Sequence, residues 1–292
     1  MKIVVGIATA GRRDILSETL IEIGRQTRLP DRLIVAPAKP QDCDISIRLP
    51  VPLEVIAAPV GLCAQRNAIL DEANEADVVV FFDDDFFPDS GFLAALEKEF
   101  CARPMAAIIT GKVVADDILG PGLSGEEARA ILRTQVGQRG PVGAMSAVYK
   151  CYGCNMALNM ALVRKSRARF DEGLPLYAWL EDEDFSRAIA MEGEILKSNA
   201  LLGVHLGTKS GRNSGVKLGY SQIANPIYLW RKGTFPMRRA VAPIFRNVIS
   251  NLVKCLHPEP WIDRKGRLRG NIIAFTDLAK GKMIPTRILE IE

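Results

Sequence analysis

Three adjacent carboxylates, Asp83-Asp84-Asp85, follow the apolar run Val78-Val79-Val80-Phe81-Phe82 and precede Phe86-Phe87-Pro88. Adjacent carboxylates repel one another and are costly at a buried strand end without a counterion. Oxygen ligands of this kind suit hard cations such as Mg2+ or Mn2+, which bridge phosphates. The pattern points to a metal-diphosphate site rather than a solvated acidic turn. A second cluster, Glu181-Asp182-Glu183-Asp184, opens a helical stretch from Leu180 to Met191. Acids favour a helix N-terminus. Four in succession exceed what a cap requires, and one of them could deprotonate a hydroxyl nucleophile. Arg187 follows Asp184 by three residues, a spacing that predicts a pair on one helix face.

The chain holds two histidines. His205 ends the apolar run Leu201-Leu202-Gly203-Val204, where a neutral imidazole could complete the shell of Mn2+. His257 lies between Leu256 and Pro258 with no such context. Gly207 to Gly215 is a basic, hydroxyl-rich loop. It lacks the order of a nucleoside-triphosphatase phosphate loop, but could close over a diphosphate. Six cysteines are scattered, with Cys151 and Cys154 the one close pair. A zinc site wants two further ligands at matching spacing, so reduced, incidental thiols are the reading.

The elements that must position these residues follow from periodicity. Short Ile- and Val-rich runs at 2–8, 32–36, 53–56 and 77–82 read as strands, and stretches near 14–24 and 62–73 as helices. Asp14 or Ser17 is the expected cap of the first helix. The alternation means an α/β fold with a largely parallel mixed sheet flanked by helices, which binds ligands at the carboxyl ends of its strands. Arg12, Arg13 and the three aspartates fall at such ends. Beyond them come a strand at 106–114, a Gly-rich excursion over 116–145 with one weak helix, and a strand at 195–206. Helices are expected near 219–231, 237–255 and 271–280.

With 292 residues, 48% hydrophobic and 25% charged, the chain is ordinary for a packed globular protein. That excludes a disordered chain and a disulfide-stapled miniprotein. No run is long and apolar enough for a membrane span, and no secretion signal opens the chain, so a cytoplasmic location is expected. The charge is split. Residues 1–208 sum to −7 and residues 209–292 to +11, which suggests a catalytic domain over 1–208 and a basic, mainly helical extension over 209–292. Within the extension, Ile244, Val248, Leu252 and Cys255 fall on one stripe. That predicts either an interfacial helix on an anionic membrane or a helix packed on protein. Few aromatics interleave the basic residues, so a nucleic-acid partner is not expected.

Five segments together resemble the inverting glycosyltransferases of family 2, with their nucleotide-sugar (GT-A) fold. They are Ile7-Ala8-Thr9-Ala10-Gly11-Arg12, Gly61-Leu62-Cys63-Ala64-Gln65-Arg66-Asn67, Phe81-Phe82-Asp83-Asp84-Asp85, Gly153-Cys154-Asn155-Met156-Ala157 and Glu181-Asp182-Glu183-Asp184-Phe185. The resemblance spans residues 2 to about 206. It implies that Thr9, Ala10 and Arg12 line the nucleotide and that Arg66 and Asn67 support nucleotide and sugar. Asp83 would contact the ribose or the metal, and Asp85 and His205 the metal. Asp84, Asn155 and Glu181 fall in segments that meet the substrate, and Asp182 would be the catalytic base. The base-reading acid of many members has no direct counterpart, and Asp42 or Asp44 is its substitute. The signature of processive synthases is absent, which implies transfer of a single sugar.

The partners implied are a nucleotide-diphosphate sugar donor, a glycan or lipid-linked acceptor and Mn2+ or Mg2+. The setting implied is polysaccharide or glycolipid assembly, in the cytoplasm or on the inner face of the cell membrane. A nucleotidyltransferase of nucleotide-sugar synthesis is the competing reading. It would open with a richer glycine loop than Gly11-Arg12-Arg13 and give the Glu-Asp cluster no role. The sequence sets neither donor sugar, acceptor nor oligomeric state.

Overall fold

A computed structural model describes residues 1–135, 137–211 and 214–291. Its strands are β1 (Ile3–Thr9), β2 (Arg32–Pro37), β3 (Leu53–Val55), β4 (Val78–Phe82), β5 (Phe86–Pro88), β6 (Ala106–Asp116), β7 (Met145–Ala147), β8 (Asn155–Asn159) and β9 (Glu194–His205). The α-helices are α1 (Arg13–Gly24), α2 (Leu62–Glu72), α3 (Phe92–Ala102), α4 (Gly125–Thr134), α5 (Met160–Ser166), α6 (Glu181–Ile189), α7 (Gly215–Lys232), α8 (Met237–Lys254) and α9 (Arg264–Ala279).

The strands form one mixed sheet in the order β3-β2-β1-β4-β8-β6-β9-β5, with β7 also pairing β9. Strands β3, β2, β1 and β4 are parallel. The near-continuous burial of β1, β2 and β4 reflects helices on both faces of such a sheet. Beyond β4 the sheet turns mixed, because β8 runs antiparallel to both β4 and β6.

Two local expectations change, and one strand is new. Neither Asp14 nor Ser17 caps α1, whose N-cap is Arg12 with no side-chain cap bond. Phe86-Phe87-Pro88, given no element by the sequence, is a short strand antiparallel to β9. The excursion over 116–145 contains a well-capped helix, with the Ser124 hydroxyl and the Glu127 carboxylate capping each other's backbone N–H at the start of α4.

The chain divides into two units. The first comprises residues 1–60, 64–170 and 185–211 and contains the whole sheet. Phe82, Phe86 and Phe92 meet in its core, with Phe82 and Phe86 stacked at 5.2 Å between ring centroids. The second comprises 61–63, 171–184 and 212–292. Its core joins Tyr220, Ile223 and Ala224 of α7 to Ile244 of α8 and Ala274 of α9. A buried polar network ties the three helices, with the Asn251 amide donating to Gln222 and Asn271 and the Asn271 amide donating to the Gly219 carbonyl.

The inward stripe of α8 is Ala240, Ile244 and Asn251, with Val248 partly buried against the same core. Leu252, placed on that stripe by the sequence reading, points outward and is 57% exposed. The expected pair of Asp184 with Arg187 does not form. Asp184 bonds Lys232 at 2.7 Å and Thr234 at 2.6 Å, and Arg187 lies over the ring of Tyr149.

Candidate metal and nucleotide site

Strand register builds the site. Phe86 of β5 pairs with His205, so the carboxylates just before β5 stand beside the end of β9. Asp116, the last residue of β6, also pairs with His205. Ligand atoms of Asp83, Asp85 and His205 consequently lie within 4.8 Å of one another. Nε2 of His205 is 3.3 Å from Oδ1 of Asp85 and 3.9 Å from Oδ2 of Asp83.

The hydrogen bonds around these groups decide which atoms face inward. Oδ2 of Asp85 accepts from the Thr208 backbone N–H at 2.7 Å. Oδ1 of Asp85 is buried, and Nε2 of His205 approaches it at 3.3 Å without the alignment of a hydrogen bond. Oδ1 of Asp83 accepts from Nη2 of Arg66 at 3.1 Å. Nδ1 of His205 donates to Oδ1 of Asp116 at 2.9 Å, and the Tyr152 hydroxyl donates to Oδ2 of Asp116 at 2.8 Å. A carboxylate behind an imidazole fixes its tautomer and turns the other nitrogen toward a metal. Two carboxylates, an imidazole so oriented and an orphaned buried oxygen fit a divalent cation of the Mn2+ or Mg2+ kind.

The charges agree. Burial favours a neutral His205 ring, but the hydrogen bond to Asp116 and the carboxylates of Asp85 and Asp83 outweigh it, and its pKa is pushed up to about 10. Burial also favours protonating Asp85, but His205, Arg12 and the Thr208 N–H hold it well below the usual carboxylate range. The raised His205 pKa reports the excess of negative charge that a divalent cation would offset, and Nε2 would give up its proton on binding one.

Asp84 points the other way. Its carboxylate accepts from the Thr9 hydroxyl at 2.7 Å and from Nη1 of Arg12 at 2.8 Å. Burial and the charge of Asp85 raise its pKa to about 6, against the pull of Arg12. Arg12 also donates to the carbonyls of Thr208 and Ser210, at 3.0 and 2.8 Å. It therefore clips the loop after β9 onto the end of β1. Gly211 is required there, because its φ is +69° and a Cβ would meet the Ala10 carbonyl at 2.4 Å. Arg212 and Asn213, part of the basic loop seen in the sequence, lie outside the described residues.

The remaining sequence-predicted residues fall into distinct settings. Ala10 is exposed at the end of β1. Arg66 is buried against the rings of Phe81 and Phe170 and donates to the Gly153 carbonyl at 2.9 Å. Asn67 exchanges hydrogen bonds with the backbone of Phe170, and Asn155 accepts from Thr110 and from the Gly111 N–H. Asp42 accepts from the Lys39 N–H, and Asp44 pairs with Arg13 at 3.3 Å. Glu181 and Asp182 are buried at the start of α6, in the second unit, where Oδ1 of Asp182 accepts from the Glu183 N–H. Sequence reasoning missed Asp116 and Tyr152. Asp116 ends an apolar strand much as Asp83 does, and that was the signal available.

Solved structures share this architecture. S. aureus TarS matches with a TM-score of 0.57 at 14% identity, over 99% of this chain and 82% of that one. TarS in complex with UDP-GlcNAc gives 0.58 at 14%, over 99% and 83%. The fold is the one these structures share. The mannosyltransferase PcManGT from Pyrobaculum calidifontis, in complex with GDP-Man and Mn2+, shares it at a TM-score of 0.51 and 15% identity, over 99% and 78%. No protein-family model and no curated protein sequence matches the chain.

Proposed function

We propose that the protein is an inverting glycosyltransferase of family 2. It moves a single sugar from a nucleoside-diphosphate donor to an acceptor hydroxyl on a glycan or lipid-linked chain, in polysaccharide or glycolipid assembly. The observation that carries the reading is the cluster of Asp83, Asp85 and His205, with the buried, unbonded Oδ1 of Asp85 among its atoms.

Mn2+ or Mg2+ held by these three side chains would supply positive charge to the diphosphate as it leaves. The protein's own residues set up that chemistry. Arg66 orients Asp83, the Thr208 N–H orients Asp85 and Asp116 orients His205. Thr9, Arg12 and Asp84 hold one another and shape the nucleotide-facing end of β1, where Ala10 is exposed. Asn67 and Asn155 hold the backbone behind the site. Glu181 is assigned to the substrate. Asp182 is the base, because an acceptor hydroxyl has a high pKa and must lose its proton as it attacks. In-line attack then inverts the anomeric carbon.

Calorimetry with UDP- and GDP-sugars tests the donor side. Donor binding that needs Mn2+ or Mg2+ and is lost in Asp85→Asn supports the reading. Binding indifferent to both overturns it.

A further inference from the structure

Helix α8 carries no acidic residue. Its inward face is used in the core of its own unit. On its outer face Val241, Phe245, Ile249 and Leu252 recur at intervals of three or four and are all exposed, Phe245 at 63%. Leu256, just past the helix, continues the row at 77% exposure. A contiguous apolar face of this kind marks an interaction site. Arg238 and Arg246 are also exposed on this helix, and neither makes an ion pair among the described residues. Arg239 and Lys254, by contrast, are paired with Glu183 and Glu259.

Charge selects the partner. A two-fold contact with a second copy through this face would gather the arginines of both helices with no acid on either to neutralise them. An anionic lipid surface offers phosphates to the arginines and an acyl boundary to Phe245 and Ile249. No helix among the described residues is long and apolar enough to cross a membrane. We propose that α8 lies in the plane of an anionic phospholipid bilayer and docks the protein there through the Val241–Leu256 row. The inference does not rest on the transferase reading, and its test involves no turnover.

The test is co-sedimentation of the full chain with phosphatidylglycerol-containing or pure phosphatidylcholine vesicles. The expected result is binding to the anionic vesicles at low salt, none to the neutral ones, and release as salt is raised. Phe245→Ser/Ile249→Ser/Leu252→Ser should abolish binding. Arg238→Glu/Arg246→Glu should weaken it by at least about tenfold. These side chains are exposed, and circular dichroism checks that each variant keeps its fold. Three results overturn the proposal: protein left in the supernatant with anionic vesicles at low salt, a triple-serine variant that binds like the parent, or a vesicle-free dimer that the triple-serine variant dissolves.

Discussion

Asp116 holds His205 by a 2.9 Å hydrogen bond to Nδ1, across the paired ends of β6 and β9. The bond leaves Nε2 facing Asp85 and Asp83. Partners behind a ligating imidazole typically contribute 10–100-fold in metal affinity. Asp116→Ala is therefore expected to weaken Mn2+ binding by about that factor, read by electron paramagnetic resonance titration without substrate. Tyr152→Phe should have a smaller effect in the same direction. Unchanged affinity in Asp116→Ala would show that the imidazole needs no such support.

The partly buried Arg12 pairs with the buried Asp84 at 2.8 Å. Removing one partner of a buried pair typically costs about 3–5 kcal/mol, because the other charge is stranded. Arg12→Met should lose about that much stability in urea denaturation, and adding Asp84→Asn should return part of it. Additive losses in the double variant would mean the two side chains are not coupled.

Asp182 and Asp184 predict different failures. Asp182→Asn should keep donor binding and lose about two to four orders of magnitude in rate, the scale of general-base loss. Asp184 is engaged by Lys232 and Thr234, so Asp184→Asn should lower the melting temperature instead. If Asp182→Asn turns over normally and Glu181→Gln is the crippling change, the base is misassigned.

Lys232 also bonds Asp171, at 2.6 Å. Burial works against ionising either group, but their pairing outweighs it, lowering the Asp171 pKa and raising that of Lys232. A lowered carboxylate pKa stabilises the fold above the unfolded value near 3.9, and a raised lysine pKa stabilises it below the unfolded value near 10.4. The stability gap between the parent protein and Lys232→Met should be full at neutral pH. It should shrink as pH falls below about 4 or rises beyond about 10.4. A gap independent of pH would assign the effect of Lys232 to packing.

The parallel half of the sheet was legible because β1, β2 and β4 are buried on both faces and read as unbroken Ile and Val runs. The acids of the site were legible as strand-end carboxylates with no packing use. Asp116 was not, because its partner is 89 positions away and only the β6–β9 register brings them together. Phe86 to Pro88 escaped for the same reason, as a three-residue strand has no period of its own. On α8 the apolar residues run around more than half the helix. Periodicity alone therefore could not say that Ile244 faces the core and Leu252 faces out. The pairing of Asp184 with Lys232 rather than Arg187 was likewise a tertiary choice that helical spacing could not reveal.

Metal-assisted transfer from a nucleotide sugar leaves a product that can be counted. The direct measurement is release of nucleoside diphosphate when the protein is incubated with Mn2+ and a panel of nucleotide sugars, with and without EDTA and in Asp85→Asn. Release is expected from at least one donor, lost in EDTA, restored by Mn2+ or Mg2+, and absent in a folded Asp85→Asn. Full turnover in EDTA, or in Asp85→Asn, would rule out a metal held by Asp85 in the transfer.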